Sequence, residues 1–171
     1  MNKIIRCVAF FFLILWSSLS LASVTFDLTA NQFNKKLNAE LKESSKTFKF
    51  NLSKKPNITY GDVNDVAQIN LSETTALVVT LNKKNKKIKS VMAIFASPNG
   101  DGALGFLFLE AVLMKIFSPE IPAESRGEHI SKMLKAAADN NEKEAQFDTE
   151  WVRYTMTNTQ IAGLWFSVEP K

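Results

Sequence analysis

The period of the hydrophobic residues changes along the chain, and each change predicts a new element of secondary structure. From Phe33 to Leu41, apolar residues recur at every fourth position among polar ones, which is typical of an amphipathic surface helix. Thr29 lies three residues before Gln32, and this Thr-x-x-Gln pattern predicts a capping box at the start of the helix. We therefore expect a helix that begins after Thr29 and ends near residues 44 and 45.

Apolar and polar residues alternate in several other segments, and this period of two predicts strands. The segments are residues 24–28, 47–53, 67–71, 74–81, 88–96, 151–157 and 161–168, with a shorter extended piece at 58–60. Short polar loops at 82–87 and 158–160 join two pairs of these strands, which predicts two hairpins. The interval 54–66 fits a strand and a loop equally well.

One apolar run, from Ala103 to Phe117, is interrupted only by Glu110 and Lys115. A helix that is apolar nearly all round is covered nearly all round in the fold. At about 1.5 Å per residue the run is roughly 22 Å long, which is shorter than the ~30 Å hydrocarbon core of a bilayer. The run therefore predicts a buried central helix and not a membrane span.

A second amphipathic helix is predicted from Glu128 to Asn140. Its expected inner face holds Ile130, Met133, Leu134, Ala137 and Ala138. The strands arrive in runs joined by short loops, which favours an antiparallel α+β fold over a succession of βαβ units. We expect a single domain in which a twisted sheet of about five to seven strands is packed by the buried central helix and the two amphipathic helices.

The beginning of the chain has the pattern of a cleavable signal peptide. Lys3 and Arg6 precede an apolar segment from Cys7 to Trp16, and residues 20–22 form a small-x-small cleavage motif. Serines after Trp16 interrupt the apolar segment early, which argues against an uncleaved anchor. The pattern predicts a signal peptide at 1–22.

The rest of the chain, residues 23–171, is then the expected mature domain. We expect it in the periplasm, with extracellular secretion as the alternative, and without stable membrane insertion. Cleavage removes two of the 21 basic residues, which against 17 acidic ones leaves a formal charge of +2. So small a charge, together with export, argues against nucleic acid as a partner.

The residue types that most enzymes and metal sites require are scarce. The only cysteine, Cys7, lies in the predicted signal peptide, and His129 is the only histidine. A zinc site of the usual Cys/His kind is excluded, because it needs three or four such ligands. His129 borders the apolar face of its predicted helix, and the sequence contains neither a nucleophile elbow nor a phosphate-binding loop. We therefore expect no cofactor, no metal and no enzymatic activity.

The strongest charge feature is the lysine-rich loop between two predicted strands. The candidate binding residues there are Lys83, Lys84, Lys86, Lys87 and Lys89. We expect them to contact an envelope protein or an anionic envelope component. The alternative is a solvated hairpin tip whose charges discourage edge-to-edge pairing of sheets. No aromatic residue is interleaved among the lysines, so the stacking element of a single-strand nucleic-acid binder is missing.

Aromatic residues and one acid complete the candidate residues. Trp151, Tyr154 and Trp165 are candidates for a recognition surface, because Trp and Tyr are frequent at the energetic centres of interfaces. They also fit the core, since alternate residues of a strand face inward. Glu110 lies within the apolar run, where burial would raise its pKa unless a cation or a hydrogen-bond donor reaches it. The alternative is a Glu110 that reaches solvent at the edge of the helix.

These features favour a small exported binding protein that acts through a surface contact, as an immunity protein or an inhibitor does. Two alternatives stay open. A cell-wall glycan hydrolase would need two carboxylates about 5–9 Å apart in one cleft. The candidate carboxylates are Asp62, Asp65, Asp148 and Glu150. A carrier of a small apolar ligand would need a tunnel between the sheet and the central helix. Its lining would be Phe106, Leu109, Leu113 and Phe117.

Overall fold

The computed structural model describes residues 24–97, 100–139, 144–159 and 163–171, and the predicted signal peptide lies outside these segments. The strands are β1 (Asn57–Thr59), β2 (Asn64–Asn70), β3 (Thr75–Asn82), β4 (Ile88–Phe95), β5 (Glu144–Asp148), β6 (Val152–Thr159) and β7 (Gly163–Pro170). The helices are α1 (Ala30–Leu41), α2 (Ala103–Phe117) and α3 (Ala123–Asp139). The seven strands form one antiparallel sheet in the order β1-β2-β3-β4-β7-β6-β5, which confirms the α+β class expected from the sequence.

Only one face of the sheet is buried. Along β3, Leu77 and Val79 are fully buried, whereas Ala76 and Val78, which alternate with them, are half-buried. The same alternation continues in the neighbouring strands, and the buried residues join those of the three helices in one core. The helices therefore form a single layer on one face, and the other face is free of helices among the residues described.

Helix α2 is covered on most of its sides. Its buried residues are Gly105, Phe106, Leu109, Glu110, Val112, Leu113 and Met114. The rings of Phe106 and Phe95 lie 5.3 Å apart and join α2 to the sheet, and those of Phe117 and Phe33 lie 5.6 Å apart and join α2 to α1. Leu104 and Lys115 are exposed. In the described part of the chain, no helix has both the length and the apolar character that crossing a bilayer requires.

Helix α1 begins with the predicted capping box. The Thr29 hydroxyl accepts a hydrogen bond from the Gln32 amide, and the Gln32 side-chain oxygen accepts one of 2.9 Å from the Thr29 amide. The helix ends at Leu41, slightly earlier than expected. Turns continue from there to residue 49.

The strand expected at 47–53 is wrong. Phe48 and Phe50 donate their backbone amides to Ser44 and Ser45, at 3.0 and 2.8 Å, in local turns, and Lys49 between them has a left-handed φ of 55°. The alternating aromatic residues pack instead under α2, where a Cβ on Gly105 would lie 3.3 Å from Phe48. The period of two in this segment reflects packing against a helix and not a place in the sheet.

The prediction of a strand at 24–28 is wrong, because this segment makes only a few backbone hydrogen bonds to the sheet. The Phe26 amide donates to the Ile88 carbonyl at 2.8 Å, and the Ile88 amide donates to the Leu28 carbonyl at 3.0 Å. The next residue, Thr29, forms an isolated antiparallel β-bridge with Lys87. The segment therefore runs along the first residue of β4 and does not form a full strand of the sheet.

Two elements differ in extent from the sequence prediction. Strand β5 was not expected, because its five residues supply only Ala145 and Phe147 to the apolar side. Helix α3 begins at Ala123 and not near Glu128, since Pro122 suits the position before a first helical turn and its carbonyl accepts from the Arg126 amide at 3.2 Å. The ambiguous interval 54–66 divides into β1, a turn and the start of β2.

Candidate functional site

The antiparallel register brings three loops to the same end of the sheet. Asn64 pairs with Asn82, Val91 with Val168, and Val152 with Pro170. The turn 60–63, the loop 83–87 and the turn 149–151 therefore share one end, which we call the loop end. Neighbouring strands lie about 4.8 Å apart, so its two outer turns are separated by five strand spacings, or roughly 24 Å.

Large apolar side chains are exposed at the loop end. Tyr60 is 76% exposed, Val63 79% and Trp151 68%. Among the described residues the other exposed large hydrophobic side chains are Val24, Val66 and Leu104. Exposed apolar residues that gather in one region often mark a binding surface, whereas isolated ones are ordinary. Sequence reasoning missed Tyr60 and Val63, because only the strand pairing shows that they adjoin the lysine loop.

The lysine loop adopts a tight and defined conformation. The Asn82 side-chain oxygen accepts hydrogen bonds from the backbone amides of Lys84, at 2.9 Å, and Asn85, at 3.3 Å. The Asn82 carbonyl accepts from the Lys86 amide at 2.8 Å, and Lys86 has a left-handed φ of 58°. A left-handed conformation is unfavourable for a residue with a Cβ, so other contacts must hold Lys86 in place.

The lysine side chains fasten the loop to the neighbouring turn. Lys83 Nζ donates to the carbonyls of Gly61, at 2.8 Å, and Asp62, at 3.2 Å. Lys86 Nζ pairs with Asp65 Oδ2 at 2.7 Å and lies 5.8 Å from the centre of the Tyr60 ring. The turn that carries Tyr60 and Val63 is therefore held against the loop.

The remaining lysines point in different directions. Lys87 forms an ion pair with Asp27, and its hydrogen bond and charge lower the pKa of that carboxyl group. Lys89 reaches Asn64 Oδ1 at 3.3 Å on the helix-free side of β2. Lys84 forms no ion pair with the described residues. The five lysines thus surround the end of the hairpin and do not form one flat patch, and carboxylates neutralise two of their charges.

A cleft of about 290 Å³ opens beside the loop end. It is lined by Thr29, Ala30, Asn31, Ile58, Tyr60, Asp65, Leu81 and Lys86. Asp65 is 1% exposed, and its Oδ1 has no hydrogen-bond partner among the described residues. The buried carboxylate of Asp65 therefore lies beneath the loop end, with one oxygen paired with Lys86 and the other without a partner among the described residues.

No protein-family model, curated protein or solved structure matches this chain.

The three aromatic candidates do not form one surface. Trp151 is exposed at the loop end, but Tyr154 is fully buried, and its hydroxyl donates to Ser118 Oγ at 2.7 Å. Burial is the main cause that raises the pKa of Tyr154 to about 12. Trp165 is half-buried and pairs with Ile94, near the opposite end of the sheet. Tyr154 is thus a core residue, because its position in β6 alternates with the outward-facing ones, and Trp165 lies apart from Trp151.

Glu110 is fully buried within α2. Neither of its carboxylate oxygens has a hydrogen-bond partner among the residues that the structure describes. Burial raises the pKa of Glu110 to about 9, because the charged form loses its hydration without gaining a partner. The side chain is therefore protonated at neutral pH.

His129 and the expected carboxylates do not converge. His129 stacks on Phe147 with 3.9 Å between the ring centres, and Asp148 pairs with Arg153 at 3.2 Å and with Lys171 at 3.2 Å. No cluster of three or more His, Cys, Asp or Glu residues suited to a metal ion occurs within the described segments.

A different pair of acids shares a cleft at the opposite end of the sheet. Glu73, in the turn between β2 and β3, and Asp101, just before α2, both line a cleft of about 440 Å³. Its other lining residues are Phe48, Lys49, Asn51, Ser72, Thr74 and Gly102. The sequence offers no signal for this pair, because 27 intervening positions separate the two residues and only the fold brings them together.

The tunnel expected for an apolar ligand is not among the clefts described here. Phe106, Leu109 and Leu113 are buried in the core, and Phe117 packs against Phe26 and Phe33. None of these four residues lines the clefts described above.

Proposed function

We propose that the protein is exported to the periplasm and acts there as a non-enzymatic binding protein that docks an acidic envelope protein on its loop end. The observation that carries this proposal is the register of the sheet, which sets Tyr60, Val63 and Trp151 at the same end as the lysine loop. The lysine loop lies between the two outer turns, so the surface offers two apolar anchors, Tyr60 with Val63 on one side and Trp151 on the other, with positive charge between them.

The loop end has the size and charge for such a contact. Its span of roughly 24 Å suits an interface that covers about 800 Å² on each partner. No carboxylate among the described residues forms an ion pair with Lys83 or Lys84, and Lys83 donates only to carbonyl oxygens. Their positive charges are therefore available to a partner. Positive charge beside apolar anchors attracts a partner with acidic residues around an apolar pocket and speeds its association.

The loop end is also ordered before binding. The side-chain bonds of Lys83 and Lys86 fix the turn 60–63 against the loop, so binding does not need to order either segment. Preorganisation of this kind increases affinity because less conformational entropy is lost on association. A rigid loop surface on a compact sheet suits an inhibitor or an immunity protein, which blocks its partner without chemistry of its own.

The test is capture of the partner from an envelope extract on the immobilised protein. Replacing Tyr60, Val63 or Trp151 by Ser should weaken capture at least tenfold, because a few large anchor side chains usually carry most of the energy of an interface. Leu104→Ser is the matched control, since Leu104 is 75% exposed but lies in the first turn of α2, away from the loop end. Lys83→Glu with Lys84→Glu should slow association, most strongly at low salt.

The captured protein is then identified, and its capture by the loop-end variants is compared with its capture by Leu104→Ser. Equal loss of capture by Leu104→Ser and Trp151→Ser would contradict it. So would capture that survives all three apolar replacements at the loop end.

A second candidate function is favoured by the paired acids at the opposite end. We infer from the shared cleft of Glu73 and Asp101 that a glycan hydrolase is the main alternative, because such enzymes use two carboxylates across one sugar bond. Glu73→Gln and Asp101→Asn should each abolish the release of reducing ends from cell-wall glycan. A protein that releases none before substitution would remove this candidate.

A further inference from the structure

A separate cleft lies where the three helices meet. It has a volume of about 380 Å³ and is lined by Lys36, Ala39, Glu40, Lys115, Ile116, Pro119 and Arg126. Each helix contributes one basic side chain, namely Lys36 from α1, Lys115 from α2 and Arg126 from α3. The packing of the helix layer thus brings together three cations that are far apart in the sequence.

The charges of this cleft do not balance. Lys115 Nζ pairs with Glu40 Oε2 at 2.5 Å, and Glu40 is the only carboxylate in the lining. Lys36 and Arg126 form no ion pair with any residue that the structure describes. Glu120 lies near Tyr154, as Arg126 does, but it does not line the cleft. Two cationic charges therefore remain without a counter-charge.

Arg126 provides the second observation. Its Nε is buried and has no hydrogen-bond partner among the described residues. An N–H group that is withdrawn from water without a partner is costly, and native structures usually satisfy such groups. The guanidinium group also has a planar arrangement of donors that matches phosphate oxygens. An oxyanion in the cleft would balance both charges and would bind the terminal Nη donors of Arg126, because the buried Nε lies beyond the reach of a ligand in the cleft.

We propose that this cleft binds the phosphate group of a small organic phosphate. Arg126 and Lys36 bind the phosphate oxygens, and Lys115 is shared between the phosphate and Glu40. The apolar wall of Ala39, Ile116 and Pro119 receives the uncharged part of the ligand. The proposal is independent of the loop end, since none of these residues belongs to it.

The test is a titration followed by backbone amide chemical shifts, at constant ionic strength because general charge screening would otherwise contribute. The probes are inorganic phosphate, glycerol 1-phosphate, and vesicles of phosphatidylglycerol beside vesicles of phosphatidylcholine. We expect saturable shifts at Lys36, Ile116 and Arg126, with a dissociation constant of about 1 mM or below. Binding of glycerol 1-phosphate identifies a free ligand, and binding confined to phosphatidylglycerol vesicles identifies a lipid headgroup as its source.

Three variants make the result specific. Arg126→Gln and Lys36→Gln should each weaken binding at least tenfold, and the exposed Lys36 is the safer replacement for folding. Glu40→Gln should tighten binding several-fold, because it removes the only carboxylate that competes with the ligand. Lys135→Gln, on the exposed side of α3, is the matched control for charge. Absence of saturable binding to every probe, or equal weakening by Lys135→Gln and Arg126→Gln, would overturn the proposal.

Discussion

Lys86 and Asp65 form an ion pair of 2.7 Å in which the carboxylate is buried and the ammonium group is half exposed. The pair joins the lysine loop to β2 and holds Lys86 in a left-handed conformation. The sequence analysis predicts that Lys86 contacts an anionic partner, but in the fold its ammonium group is already paired with the carboxylate of Asp65. In the proposed contact, Lys86 would fix the surface and would not supply a free charge.

Removal of the ammonium group should destabilise the fold. Lys86→Met leaves a buried carboxylate whose other oxygen already lacks a partner, so we expect a loss of about 2–3 kcal/mol in the free energy of unfolding. The value lies below that of a fully buried pair because Lys86 is in contact with solvent. Denaturation in urea measures it.

A double-mutant cycle with Asp65→Asn is the control for this pair. The double variant should recover at least half of the loss, since the amide that replaces the carboxylate in Asp65→Asn carries no charge that needs a partner. Additive effects of the two substitutions would show that the ion pair does not stabilise the fold.

The buried Glu110 makes stability depend on pH. Its pKa is about 9 in the folded protein, against 4.5 in the unfolded chain, so the folded state binds one more proton between these values. Stability is therefore highest below pH 4.5 as far as this group is concerned, and it falls by about 1.4 kcal/mol per pH unit up to pH 9. Glu110→Gln should remove this slope and stabilise the protein at pH 8.

Urea denaturation of both forms at pH 5, 6.5 and 8 measures the difference, which isolates Glu110 from other titrating groups. Glu43→Gln, at an exposed position, is the matched control and should leave the slope unchanged. Parallel profiles for the wild type and Glu110→Gln would show that Glu110 reaches water or a partner.

Lys83 should control the mobility of the turn that carries Tyr60 and Val63. Its ammonium group donates to the carbonyls of Gly61 and Asp62, and the lost bonds are worth ~1 kcal/mol. Lys83→Met should therefore lower the NMR order parameters of the backbone amides of residues 61–63. Lys84→Met removes the same charge from the same loop and should leave these amides unchanged. Equal effects of the two variants would mean that net charge, and not the bond, orders the turn.

The sequence predicted correctly those elements that are determined by residues close together in the chain. The capping box of Thr29 and Gln32 lies within one helical turn, and the apolar run of α2 is long enough to predict its helix. The alternation of Phe48 and Phe50 led to the wrong prediction of a strand at 47–53. Both rings pack against α2, and a period of two does not show which element covers the apolar residues. The short β5 offered too few apolar positions to be recognised.

The candidate site likewise has residues that can be identified from the sequence and others that only the fold brings together. The lysines of the loop at 83–87 are adjacent in sequence and could be identified from it. Asp65 and the exposed Tyr60 become neighbours of these lysines only through the antiparallel pairing of strands β1, β2, β3 and β4. Asp27 does so through the backbone hydrogen bonds of Phe26 and Leu28 to Ile88. A charge cluster can therefore be predicted from sequence, but the fraction of it that is already neutralised depends on topology.

Gly163, the first residue of β7, should tolerate no side chain. A Cβ there would lie 2.1 Å from the Phe95 carbonyl oxygen, and the residue has a φ of 77°. Gly100 has a similar φ of 72°, but a Cβ there would meet nothing within 4 Å. Both Ala variants therefore incur the left-handed strain of about 1 kcal/mol, and only Gly163→Ala must also separate β7 from the end of β4. We expect Gly163→Ala to lower the midpoint of thermal unfolding by at least twice as much as Gly100→Ala, and equal shifts would mean that β7 does not approach Phe95 so closely.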